Sequence, residues 1–202
     1  MVMEKRRNYN DYKEYLEHQA KKTLYPGVRD YLIKHFDQKV KLFRVRFDKI
    51  EKGIIKSGDK ALCLGARMGE EVAALREMGL DAIGIDIVPN LPLVIEGDFN
   101  NLKFNPESFD LVYTNAFDHA WDIQPFLSQV HRVLKTGGIF ILDIFLKNFK
   151  NCEVIYFENT DDIVKYIEDK FKMKLLSINS NLPKLYRRHR GENKEKQLIF
   201  QK

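Results

Sequence analysis

The residues best placed to do chemistry come in three blocks between positions 61 and 99. The run 61–75 (ALCLGARMGEEVAAL) reads as a strand, a turn containing Gly65 and Gly69, and a helix. Glycine lets the backbone come close to a ligand, and open α/β sheets bind ligands at the carboxyl ends of their strands. Gly65, Ala66, Arg67 and Gly69 are therefore expected to line a binding loop. Asp86 ends the next strand-like run (AIGID), twenty-one residues after Gly65. An acid at this separation suits a nucleoside ribose, because one carboxylate accepts hydrogen bonds from both hydroxyls. Ile87 follows it as an apolar neighbour. A third strand runs into Gly97, Asp98 and Phe99. There Asp98 is expected to accept from the exocyclic amine of an adenine, and Phe99 to give apolar contact. The bland alternatives are a tight strand-to-helix turn and a solvated strand-end acid.

These blocks need a scaffold. From residue 60 onward β-rich and helical runs alternate: strand 61–64, helix 69–78, strands 82–86, 93–96 and 109–114, helix 122–134, strand 138–144, helix 160–170 and strands 173–179 and 197–201. This order predicts a doubly wound α/β domain with a mostly parallel sheet and helices on both faces. The last two strands form a hairpin-like pair at the sheet edge. Residues 8–52 read as helical, divided into two helices by Pro26-Gly27. They are expected to pack on the core as an N-terminal extension, residues 1–57, ahead of a binding core at 58–202.

At this point the sequence resembles the class I S-adenosylmethionine-dependent methyltransferases. The Gly65–Gly69 turn looks like the family's first motif, Asp86 like the acid after its second strand, and Gly97-Asp98-Phe99 like the adenine-side turn. Residues 108–115 (SFDLVYTN) resemble the fourth strand. Residues 132–142 (RVLKTGGIFIL) resemble the helix, Gly-Gly turn and fifth strand of the small-molecule-like branch. The resemblance implies a seven-stranded Rossmann-like sheet with an antiparallel last strand, S-adenosylmethionine as cofactor, and in-line methyl transfer to an acceptor. Two positions depart from it: Cys63 stands where the family has Asp or Glu, and Arg67 where it has Gly.

In such an enzyme the protein mainly positions the acceptor and excludes water. Residues 114–122 (TNAFDHAWD) leave the fourth strand facing the reaction centre. Asn115 and Phe117 are expected to contact the cofactor or pocket, and Asp118 and His119 to orient or deprotonate the acceptor. Alternatively Asp118 caps the following helix and His119 packs on it. Within the family resembled, enzymes that methylate the exocyclic amines of bases carry an Asn- or Asp-Pro-Pro-aromatic box after the fourth strand; residues 115–118 (NAFD) lack its prolines, so the resemblance implies a different acceptor. Tyr15, His18 and Tyr25, with Tyr12, are expected to form a lid over the acceptor; an amphipathic helix packed on the sheet explains them equally.

Charge and cysteine content bound the rest. The net charge of +5 is uneven, with +7 over residues 1–60, −5 over 61–150 and +3 over 151–202. Basic ends flanking an acidic centre suit an anionic acceptor, and residues 184–190 (KLYRRHR) offer phosphate contact with a ring for stacking. A solvated lysine-rich surface accounts for the same residues. Cys63 and Cys152 lack disulfide or metal-ligand spacing and read as reduced thiols. No long apolar run indicates a signal peptide or membrane span, so a cytoplasmic protein without a membrane partner is expected. Two competing functions stay open: a non-catalytic or accessory protein retaining the fold, and an NAD-dependent oxidoreductase using a related glycine turn.

Overall fold

The structure, a computed structural model, describes residues 9–146, 159–184 and 195–202. Three helices come first: α1 (Tyr12–Leu24), α2 (Pro26–Lys34) and α3 (Phe36–Phe47). Asp11 caps α1, its carboxylate accepting from the Glu14 amide at 2.8 Å. Pro26 opens α2, where the missing amide donor costs nothing. The sequence predicts one break in this region, and the structure has two. The second falls at His35, whose φ of −108° and ψ of 12° leave the helical region while its ring Nδ1 lies 2.8 Å from the Tyr31 carbonyl.

The core follows as β1 (Lys60–Leu64), α4 (Glu70–Glu77), β2 (Asp81–Asp86), β3 (Val94–Glu96), β4 (Phe109–Thr114), α5 (Ile123–Val133), β5 (Leu134–Phe145), α6 (Asp161–Phe171), β6 (Lys174–Asn179) and β7 (Glu195–Gln201). The sheet order is β3-β2-β1-β4-β5-β7-β6. All pairings are parallel except those of β7, which runs antiparallel between β5 and β6. The expected seven strands, the antiparallel last strand and the edge hairpin are all present. One boundary differs: β5 starts at Leu134 and carries the Gly137-Gly138 pair inside it. Its register against β4 shifts between Phe109 and Leu111, and Gly137 takes a φ of +79°, so the two glycines make a bulge rather than a turn before the strand.

Alternation along the strands divides the core between two faces. Leu62, Leu64, Val112, Phe140 and Leu142 point to the side covered by Phe126, Leu127 and Val130 of α5 and Ile163 and Ile167 of α6. Ala61, Cys63, Leu111, Tyr113 and Ile141 point to Val40, Phe43 and Phe47 of α3 and Val72 and Leu75 of α4. In α5 the buried residues Ile123, Phe126, Leu127, Val130 and Val133 recur at three- and four-residue spacing, which gives one continuous apolar stripe. Cys63 is a free, fully buried thiol that burial pushes above its ordinary pKa, in keeping with an inert core residue. Cys152 lies outside the described residues.

α3 is tied to the sheet by charge as well as by apolar contact. Arg46, fully buried, donates from Nε and Nη2 to Asp143 Oδ2 at 3.1 and 2.8 Å, from Nη1 to the Pro183 carbonyl at 2.7 Å, and from Nη1 to Glu195. Tyr113 adds its hydroxyl to the same Asp143 oxygen at 2.6 Å. Burial works against the charge on Arg46, but Asp143, Tyr113 and Glu195 outweigh it and hold the guanidinium above its ordinary pKa. No helix among the described residues is long and apolar enough to cross a membrane.

Candidate functional site

The site is assembled at the carboxyl ends of β1, β2, β3 and β4. After β1 the chain turns through three left-handed residues, Gly65 (φ +70°), Arg67 (φ +45°) and Gly69 (φ +86°). The Gly65 and Ala66 amides both donate to the Ile85 carbonyl, at 2.9 and 3.0 Å, which fixes the loop to the end of β2. A Cβ on Gly65 would stand 2.6 Å from the Ala116 Cβ, and one on Gly69 2.8 Å from that of Leu93, so both positions require glycine on steric grounds as well. Arg67 adopts the same left-handed region with a full side chain, at a cost of roughly 1–2 kcal/mol. Its φ gives the physical reason why glycine suits this position.

Asp86 closes the loop from below. Its Oδ2 accepts the Arg67 amide and its Oδ1 the Val88 amide, each at 3.0 Å. Burial raises its pKa, opposed by those backbone donors and by the charge of Arg67. Each oxygen keeps a second lone pair for a ligand hydroxyl, as the ribose expectation requires. Asp98 lies just beyond the end of β3, two residues after Glu96. Its Oδ1 accepts from the Asn100 amide and from the Tyr12 hydroxyl, both at 2.8 Å.

Between α1 and these strand ends lies a cavity of about 330 Å³, lined by Leu16, Glu17 and Ala20 on the helix and Ile87, Glu96, Gly97 and Asp98 on the sheet. It falls at the lower end of the range for small-molecule sites, about 300–1,000 Å³. Ile87 and Asp98 were expected at such a site from sequence; the α1 residues were not. Phe99 packs edge-on to Phe126 at 5.1 Å and lies 3.7 Å from where a Gly65 Cβ would be, so it supports the loop from the core side.

On the β4 side, Thr114 is a residue that sequence reasoning missed. Fully buried, it donates its hydroxyl to the Leu64 carbonyl and accepts the Ala116 amide, both at 3.0 Å, clamping the exits of β1 and β4 together. Asn115 follows, half-buried. Phe117 departs from its expected place in the pocket. It is fully buried, with its ring edge-on to Phe126 at 5.2 Å, and its part is to anchor the short 3₁₀ turn Phe117–His119 in the core. Asp118 does not cap α5: Asp122 does, accepting the Gln124 amide at 2.9 Å. Asp118 instead lies 4.0 Å from His119 Nε2 within the turn.

The aromatic residues of α1 meet this turn. Tyr15 is 1% exposed and donates its hydroxyl to the His119 carbonyl. Its ring stands 5.4 Å from Trp121, 5.5 Å from Tyr9 and 5.8 Å from Tyr12; Tyr9 lies 6.0 Å from Trp121 and 5.7 Å from His18. Tyr25 is not among them. It sits 67% exposed at the corner between α1 and α2, because the Pro26 break turns it away from the cluster. Of the basic run 184–190, residues 185–190 lie outside the described residues. Among the described residues no group of three metal-ligating side chains occurs.

Comparison with known proteins assigns this arrangement. Residues 62–142 match the family described as a methyltransferase domain. An uncharacterized methyltransferase of Synechocystis is 34% identical over 106 residues, covering 46% of this chain and 50% of that protein. A sterol 24-C-methyltransferase of Clavispora lusitaniae is 31% identical over 107 residues, covering 52% of this chain and 26% of that protein. The chain therefore spans half or less of the length of these relatives. In fold it is similar to the 1,6-didemethyltoxoflavin-N1-methyltransferase of Burkholderia thailandensis, with a TM-score of 0.69 at 15% identity over 97% of this chain and 91% of that one. The matched span begins inside β1 and ends inside β5, so it contains the glycine loop, Asp86, Asp98 and the β4 exit. Residues 62–142 thus match a methyltransferase domain, and the chain has the Rossmann-like fold of S-adenosylmethionine-dependent methyltransferases.

Proposed function

We propose that this chain transfers a methyl group from S-adenosylmethionine to a small-molecule acceptor held beneath α1. The observation that carries this reading is the cavity between α1 and the sheet. Its sheet side is made of Ile87, Gly97 and Asp98, motif residues of the nucleoside site, and a helix forms its other wall. Bound there, the cofactor supplies a methyl group made electrophilic by its sulfonium. The chain's own contribution is to hold and orient. Asp86 accepts the ribose hydroxyls, Asp98 accepts the adenine amine, and Gly65, Ala66, Arg67 and Gly69 let the loop approach the rest of the cofactor. Asn115 continues the same wall at the β4 exit.

On the acceptor side Tyr9, Tyr12, Tyr15, His18 and Trp121 pack as an aromatic cluster beside the 3₁₀ turn, an apolar wall suited to keeping water from the transfer. Asp118 and His119, 4.0 Å apart, are the groups available to orient an acceptor and take its proton. The lid in this reading is α1 with its corner to α2. α3 belongs with the core because Arg46, Phe43 and Phe47 fix it there, so the lid is narrower than residues 1–57. A helix covering the site favours a small acceptor over a nucleic acid or protein side chain.

The experiment is to incubate the protein with methyl-labelled S-adenosylmethionine and a cell extract divided into small-molecule and macromolecular fractions. Label is expected in the small-molecule fraction, with a loss of about a hundredfold or more, on the order of that for a removed general base, in His119→Ala. Label confined to the macromolecular fraction would refute the small-acceptor reading.

A further inference from the structure

One face of α1 carries Tyr12, Leu16 and Ala20 at four-residue spacing, so the three side chains lie in one row along the helix. Leu16 and Ala20 line the cavity, and Tyr12 reaches the carboxylate at its edge. The bond joins residues 86 positions apart in sequence. Three groups close a small ring of hydrogen bonds there. The Tyr12 hydroxyl donates to Asp98 Oδ1, the Asn100 amide donates to the same oxygen, and the Asn100 side-chain Nδ2 donates back to the Tyr12 oxygen, all at 2.8 Å. Asp98 Oδ1 is therefore occupied by two donors, whereas among the described residues no hydrogen bond engages its Oδ2. Holding one oxygen of a carboxylate fixes the direction of the other. Burial, together with the charge of Asp98, keeps the Tyr12 hydroxyl protonated and a donor well beyond neutral pH, despite the opposing bond from Asn100.

We propose that Tyr12 is a positioning residue for adenine recognition: by tying up Asp98 Oδ1 from the lid helix, it aims Oδ2 at the exocyclic amine of the cofactor, so that closure of α1 and selection of an adenine base are one event. This rests on the reading of Asp98 as the adenine acceptor. Its consequence is that α1 does more than cover the site. The helix that walls the acceptor side through Tyr15, packed against Trp121, also completes the base-reading group, so the two halves of the site are assembled together.

The test separates orientation of Asp98 from simple loss of a wall. S-adenosylhomocysteine and S-inosylhomocysteine differ at the base position that Asp98 would read: the first presents an amine donor, the second a carbonyl acceptor. Calorimetric affinities for both are measured on the wild-type chain and on Tyr12→Phe, which keeps the ring and removes only the hydroxyl. The single tryptophan, Trp121, 5.9 Å from the Tyr12 ring, reports by its emission whether α1 remains docked in the variant. The proposal expects Tyr12→Phe to lose about tenfold in affinity for S-adenosylhomocysteine, in line with one hydrogen bond to a charged group, and to stay within about twofold for S-inosylhomocysteine. Equal losses for both ligands, with or without a red shift of Trp121, would show a wall and overturn the proposal, as would no loss for either. A wild-type chain that binds S-adenosylhomocysteine no better than the inosyl compound would overturn the reading of Asp98 itself, and the proposal with it.

Discussion

Replacing Asp86 with alanine is the perturbation whose effect the site geometry sets most closely. In the structure each carboxylate oxygen accepts one backbone amide, Arg67 to Oδ2 and Val88 to Oδ1, and each has one lone pair left for a ribose hydroxyl. Hydrogen bonds to a charged group contribute about 1.5–3 kcal/mol each, so losing two should cost about 3–6 kcal/mol of binding, or two to four orders of magnitude in Kd. Asp86→Asn keeps one acceptor oxygen and should fall between wild type and alanine. The effect on stability should be much smaller. Burial holds the Asp86 pKa above its ordinary value, so at neutral pH its charge does not favour the folded state, and the asparagine variant should unfold within about 1 kcal/mol of wild type. Calorimetry with S-adenosylhomocysteine, alongside thermal unfolding of each variant, gives both numbers. Affinity of Asp86→Ala within threefold of wild type, in a folded chain, would refute the ribose assignment.

Two further outcomes follow from buried charge on the opposite face of the sheet. Arg46→Met should destabilise the chain by about 3–5 kcal/mol, because it leaves Asp143 and Glu195 buried without their cation; replacing all three by apolar residues should recover most of that, as measured by urea unfolding. Recovery absent from the triple variant would show that packing, not charge, dominates there. Glu71, at the start of α4, is pushed well above its ordinary value of 4.5, first by burial and then by Glu70. The native state therefore binds more protons than the unfolded state above that pH, and stability should fall as pH rises from about 4.5 toward the native pKa. Glu71→Gln should flatten this decline above about pH 4.5, with a residual slope of the same sign from Asp86; an unchanged slope would rule out Glu71 as its source.

The parts of this molecule that were legible in its sequence are those whose chemistry is local. The glycine loop, Asp86 and Asp98 sit at strand ends, and alternation along the strands already places the ends; the spacing then leaves few alternatives for the sheet order. What the sequence left unread depends on contacts between distant segments. Tyr12 is an ordinary helix residue until α1 is laid against Asp98. Thr114 reads as one more β-branched strand residue, although its hydroxyl clamps two strand exits. Arg46 looks like part of a basic surface helix, whereas it is the buried counter-ion of two carboxylates. Phe117 and Tyr25 show the same dependence in reverse: each lies beside candidate site residues in sequence, but a 3₁₀ turn sends one ring into the core and a proline corner sends the other into solvent.

The most direct measurement of the central claim is calorimetric titration of the intact chain with S-adenosylmethionine, S-adenosylhomocysteine and NAD in parallel. The site described here predicts micromolar binding of the first two and none of the third. Binding of NAD would contradict it in favour of a dinucleotide enzyme, and no binding of any would contradict it in favour of a protein that keeps the methyltransferase fold without its chemistry.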